Sequence, residues 1–204
     1  MKTLIATTNP AKLAEIKSFL SDLPLELVSL KDVGINQDVE ETGKTFEENA
    51  IIKGKFFCKL SGLPTIADDG GIEIDALNGE PGVYSRRWAG EENTLTHDTD
   101  SDERLINYTL KRMQGIPSEK RGAQMRVVEA LVLPTGEVFT GEGIIRGVIS
   151  EKPSEQRYLG FPFRSLFFIP ELNKFYNHDS LTKEENERYN HRKKALDKIK
   201  NIII

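Results

Sequence analysis

Residues 122–149 read GAQMRVVEALVLPTGEVFTGEGIIRGVI. Two long runs of strand-forming residues, Gly122 to Leu133 and Glu137 to Ile149, are joined by Pro134-Thr135-Gly136. Such a link has the chemistry of a hairpin turn. A parallel pairing of the two runs would need a crossover of a dozen or more residues, so the pair is antiparallel. Elsewhere strands alternate with helices, and the combination predicts an α/β protein with a mixed sheet.

Upstream, Thr3 to Ala6 reads as a buried strand. A polar turn and Pro10 then open a helix with Leu13, Ile16, Phe19 and Leu20 at helical spacing. Leu25 to Leu30 gives a second strand. Thr45-Phe46-Glu47-Glu48 predicts a capping box for a helix running to about Leu60 and closed by Gly62, with Asn49 and Lys53 on one face. Pro64 to Ala67 reads as a short strand that ends in the turn residues Asp68-Asp69-Gly70-Gly71, before Ile72 and Ile74 begin a returning strand. Gly79 to Asp102 is rich in Gly, Asn, Asp and Thr and reads as a loop long enough for a lid, followed by a helix carrying Leu105, Ile106, Leu110 and Met113. A final helix, capped by Thr182 and Glu185, is expected to run through Asn190-His191-Arg192.

The 204 residues suit one folding unit spanning 1–204, with no internal repeat. A formal net charge of −4 argues against binding a nucleic acid polymer, which needs a basic face, but leaves room for a local basic pocket. The single cysteine, Cys58, has no partner for an intramolecular disulfide. No apolar run reaches membrane-spanning length, and the apolar start is cut short by Thr7-Thr8-Asn9, so the cytoplasm is the expected location and a membrane partner is not.

Four constellations bear chemistry. Thr7-Thr8-Asn9-Pro10-Ala11-Lys12 places free N–H groups and a lysine at a helix start, a site for phosphate, or else a plain Asn9 cap with Lys12 in solvent. Glu40-Glu41 and Asp68-Asp69 offer the oxygen ligands that magnesium prefers, one carboxylate being available to accept a proton from water; the competing reading is an ordinary turn. Gly70 would let the backbone approach a phosphate. Lys53 would neutralise phosphate or merely solvate its helix. Phe161, Phe163 and Arg164, with His191 and Arg192, would stack on and bond a base, though phenylalanine more often fills a core.

Read in order, Ala6 to Lys12, Glu40 to Ala50 with Lys53, Ala67 to Leu77, and Gly79 to Arg87 resemble the motifs of the inosine triphosphate pyrophosphatase family over most of the chain. The resemblance implies an elongated mixed β-sheet flanked by helices, two lobes with a central cleft, and a homodimer. It implies hydrolysis of non-canonical purine nucleoside triphosphates, those of inosine, deoxyinosine and xanthosine, to the monophosphate and pyrophosphate with Mg2+. By position, Thr7, Thr8, Asn9, Lys12, Lys53 and Gly70 would bind the triphosphate and Glu41 and Asp69 the metal, while Asp69 would act as base with Asp68 in support. The C-terminal part departs from the family: Pro162, Arg164 and Ser165 replace Gly, Asp and Pro, and Asn186 and Asn190 replace Lys and Ser. Phe161, Phe163, Arg164, Asn186, His191 and Arg192 fall in the region of the base. The alternatives are therefore a pyrophosphatase for another modified nucleotide, including a pyrimidine, or a nucleotide-binding protein without turnover.

Overall fold

The computed structural model describes residues 1–90, 99–177 and 180–203. Seven strands form one sheet in the order β2-β1-β3-β4-β5-β6-β7: β1 (Lys2–Ile5), β2 (Glu26–Ser29), β3 (Thr65–Ile74), β4 (Gly122–Val132), β5 (Val138–Ile149), β6 (Phe167–Ile169) and β7 (Lys174–Phe175). β1 is parallel to β2 and β3, whereas β6 is antiparallel to β5 and β7. Five residues link β4 to β5, too few for anything but a hairpin. The sheet is thus mixed and open, as the sequence predicts. The helices are α1 (Pro10–Phe19), α2 (Phe46–Ser61), α3 (Thr99–Arg112), α4 (Lys183–Tyr189) and α5 (His191–Ile199).

The chain divides into two compact units. The first comprises Met1–Asp69, Val127–Gly143 and the described residues from His191 on. Its stretch of β3, Thr65 to Asp69, is buried at every residue, as is the β4 stretch Val127 to Val132. Burial on both sides of a strand requires a cover on both faces. One cover is α1 with its C-cap Leu20, and α5: Ile16, Leu20, Leu196 and Ile199 pack with Ile5, Ile66 and Leu131. The other includes α2, whose Phe57 packs with Leu4, Ala6, Val28 and Ala67. Glycines set these approaches. A Cβ on Gly54 of α2 would lie 2.7 Å from Val132, and Cβ atoms on Gly141 and Gly143 of β5 would run into the Ala195 and His191 carbonyls of α5.

The second unit comprises the described residues of Gly70–Arg126 and Ile144–Asn190. Here the strands alternate: Ile72, Ile74, Ala123, Met125, Ile145 and Ile149 pack with Leu105 and Ile106 of α3 and with Phe167, Ile169 and Tyr176.

Three expectations need correction. Asp68-Asp69-Gly70-Gly71 is not a turn: β3 continues through it, and neither glycine has positive φ. Gly71 is required by packing instead, since a Cβ there would fall 2.0 Å from Ser85 Oγ, which accepts a hydrogen bond from Ile72 N–H. The last helix is two, because Asn190 is extended (φ −115°, ψ 108°) between α4 and α5. The segment 79–102 is not loop throughout, as α3 begins at Thr99; residues 91–98 of that expected lid lie outside the described residues.

Candidate active site

In the first unit, Asn9 caps α1, its side-chain oxygen accepting from the N–H groups of Ala11 (2.9 Å) and Lys12 (3.4 Å). Thr7 Oγ1 accepts from Asn9 N–H, and Thr8 is exposed. The N–H groups expected to be free for phosphate are therefore taken up by the Asn9 cap, Pro10 having none, but Lys12 does not simply lie in solvent: its ammonium is 2.8 Å from Asp68 Oδ2.

Helix α2 brings a second group. Thr45 caps it by accepting from Glu48 N–H; the Glu48 carboxylate accepts from Lys44 N–H, so the predicted reciprocal box is displaced by one residue. One turn in, the buried Asn49 donates to Asp69 Oδ2 at 2.9 Å. Another turn along, Lys53 pairs with Glu41 and donates to the Asp68 carbonyl at 2.9 Å. Neighbouring strand residues face opposite sides, so Asp69 turns to α2 and Asp68 to α1 and α5.

The two aspartates differ electrostatically. Burial, with the nearby charge of Glu41, pushes Asp69 up to about 6 against the pull of Lys53, Lys12 and Asn49. Asp68 is also buried, but Lys12, Arg192 and Lys53 outweigh that penalty and hold it well below the usual carboxylate range. Burial works against the charge on Lys53, yet Glu41, Asp68 and Asp69 keep it raised.

Arg192 stands at the first turn of α5 and is enclosed. Its Nε donates to Glu15 at 3.1 Å, Nη2 to Asp68 at 3.1 Å and Nη1 to Glu129. Glu15 and Glu129 were not foreseen as part of this network. For Glu129 the signal was present, a lone acid inside Val127-Val128-Glu129-Ala130-Leu131-Val132, where an unpaired charge would be costly. One guanidinium cannot neutralise three carboxylates. Burial, followed by the charge of Asp68, moves the Glu129 carboxyl upward despite Arg192, and its Oε2 is buried with no hydrogen-bond partner among the described residues.

Of the residues assigned to the base, only His191 and Arg192 lie in this unit, and His191 is buried at the start of α5. Gly70, Phe161, Phe163, Arg164 and Asn186 belong to the second. There Arg164, 3% exposed, stacks with its guanidinium carbon 3.6 Å from the Phe161 ring centroid and 5.1 Å from that of Tyr176. Phe163 joins the core. Asp102 accepts from Gly160 N–H and pairs with Arg86, holding the turn before Phe161. Asn186 accepts from Asn190 Nδ2 at 3.1 Å and donates to the Leu181 and Thr182 carbonyls.

Glu41 and Asp69 are hard oxygen donors close enough to repel, and both interact with Lys53. Such a pair suits a magnesium ion, which keeps several waters and takes further oxygens from phosphate. Among the described residues no group of three or more His, Cys, Asp or Glu side chains is placed to hold a metal. A two-carboxylate site completed by substrate does not require one. No helix among the described residues is long and apolar enough to cross a membrane.

A sequence profile of the Ham1 family matches residues 3–202. A dITP/XTP pyrophosphatase of Thermoanaerobacter pseudethanolicus is 42% identical over 205 residues, spanning 100% of this chain and 97% of that protein. A dITP/XTP pyrophosphatase of Thermus thermophilus is 41% identical over 96% of this chain and 88% of its own length. Among solved structures, a HAM1 protein from Coxiella burnetii superposes with a TM-score of 0.81 at 31% identity, covering 100% of this chain and 98% of the other.

Proposed function

Since the chain belongs to the Ham1 family, we propose that it is a magnesium-dependent pyrophosphatase for non-canonical purine nucleoside triphosphates such as those of deoxyinosine and xanthosine, releasing the monophosphate and pyrophosphate. The observation that carries this reading is the pair of adjacent buried aspartates turned to opposite sides, Asp68 paired with Lys12 and Arg192 and Asp69 held by Asn49 beside Glu41 and Lys53, its carboxyl pushed up to about 6. A carboxyl tuned toward neutral pH by burial is suited to take a proton from water.

Glu41 and Asp69 would hold the magnesium ion. When bound, it would withdraw charge from the phosphates. Lys12 and Lys53 would bind phosphate oxygens, positioning the chain for in-line attack. The oxygen of water bonds to the α-phosphorus, its proton passes to Asp69, and the anhydride bond to the β-phosphate breaks with its electron pair leaving on pyrophosphate. Asp68 stays charged and orients Lys12.

A second reading, a pyrophosphatase for another modified nucleotide, is favoured by Arg164, which stands where the family motif has an acid and is stacked on Phe161. A donor in place of an acceptor alters which base edge is satisfied. We place the work of the enzyme in the cytoplasm, as a homodimer.

The test is pyrophosphate release with magnesium from the triphosphates of inosine, xanthosine, deoxyuridine and the ordinary nucleosides, alongside Asp69→Asn. Turnover of the inosine and xanthosine substrates that falls about 1,000-fold in the variant is expected. Nucleotide binding without release from any substrate would leave a binding protein instead.

A further inference from the structure

Asn49 is fully buried, and both ends of its carboxamide are engaged. Oδ1 accepts from Gly43 N–H at 2.8 Å, and Nδ2 donates to Asp69 Oδ2 at 2.9 Å. A backbone N–H only donates, so the oxygen of the amide must face Gly43. The –NH2 must then face Asp69. Gly43 follows Glu41 by two residues. A side chain there would block the bond, since a Cβ would lie 2.6 Å from Asn49 Oδ1 and 2.7 Å from Glu48 Cβ.

We infer that Asn49 is a positioning residue, whose single amide ties the loop carrying Glu41 to the Asp69 carboxylate and fixes how that carboxylate is turned. The inference rests on the reading of Asp69 as base and of Glu41 and Asp69 as the metal pair. An N–H directed at Oδ2 stabilises charge on that oxygen and opposes a proton arriving from the same direction. The same bond sets the rotation of the carboxylate, and with it the distance over which Glu41 and Asp69 can share an ion. Close packing of Gly54 against Val132 seats the helix that presents Asn49, so the amide rests on a rigid support.

Asn49→Asp tests this directly. The replacement has the same shape and still accepts from Gly43, but a carboxyl facing the Asp69 carboxylate must share a proton with it, which replaces the fixed amide donor and ties up the base. Expected is a fall in kcat of about 10- to 100-fold and a rise in the magnesium concentration for half-maximal rate, with the KM for nucleotide nearly unchanged and a cooperative melt retained. Gly43→Ala, which pushes on the same amide from the other side, should move kcat and the magnesium requirement in the same direction and serves if Asn49→Asp does not fold. Wild-type kcat and magnesium requirement in both folded variants, while Asp69→Asn is inactive, would overturn the positioning role. A loss confined to KM would overturn it too. Full activity of Asp69→Asn would instead remove the reading on which it rests.

Discussion

Arg192 meets Glu15, Glu129 and Asp68 with all four side chains no more than 3% exposed, whereas Arg146 meets Asp75 with both side chains more than half exposed. The residue types are the same and the surroundings opposite. In the first unit strands are covered on both faces, so a charge placed there must be met by other charges. In the second unit the outer strand face is wet, and its pairs Arg146–Asp75 and Arg126–Glu73 keep an apolar core on the other side. Buried pairs are poor devices for stability, because desolvation consumes most of the attraction. Their persistence around Asp68 is accounted for by what they do to it: they hold it well below the usual carboxylate range beside an Asp69 pushed up to about 6.

The comparison is sharpest at Arg192. Arg192→Leu takes the guanidinium away from three buried carboxylates, leaving Asp68 with Lys12 and Lys53, and a loss of about 3–5 kcal/mol in unfolding free energy is expected from denaturant titration. A loss below about 1 kcal/mol would mean that the cluster lets in water and resembles the outer pairs after all.

Glu129 gives an intermediate effect with a pH signature. Its carboxyl is raised in the folded protein above its ordinary 4.5, so the folded state keeps a proton that the unfolded chain has already released. Stability from this group is present below 4.5 and declines as pH rises from there through the folded value. Glu129→Gln carries no such proton. The variant should lack this contribution, which reaches about 1.4 kcal/mol per pH unit, when denaturant midpoints are compared between about pH 5 and about pH 8. Parallel curves for the two proteins would place the proton elsewhere.

At the small end, Arg146→Ala removes a pair that solvent already screens. The expected change is within about 1 kcal/mol and shrinks further in high salt.

Much of this contrast was legible in the sequence. The hairpin of β4 and β5 was plain because its turn and both strands are local, and Asn9, Thr45, Gly62 and the Thr182–Glu185 box mark helix ends through bonds that span only a few residues. The site was legible as ordered motifs, and Lys12, Lys53, Glu41, Asp68, Asp69 and Arg192 do gather in one unit. What escaped depends on distant partners. Asp-Asp-Gly-Gly is good turn chemistry, and only Ser85, 14 residues after Gly71, reveals that the glycine makes room in a strand. Glu15 occupies a helix position that reads as a polar face until α5 closes over it. The break at Asn190 leaves no proline or glycine to announce it. Asn49 was seen to share a face with Lys53, but its bond to Gly43 needs the loop to fold back upon the helix.

That break separates two helices with different surroundings. Asn186 accepts from Asn190 at the end of α4, whereas Arg192, two residues further on, is paired with three acids in a helix that packs against Gly141 and Gly143. The helical hydrogen-bond ladder stops at Asn190, so fraying of α4 has no continuous helix along which to run into the turn that holds Arg192.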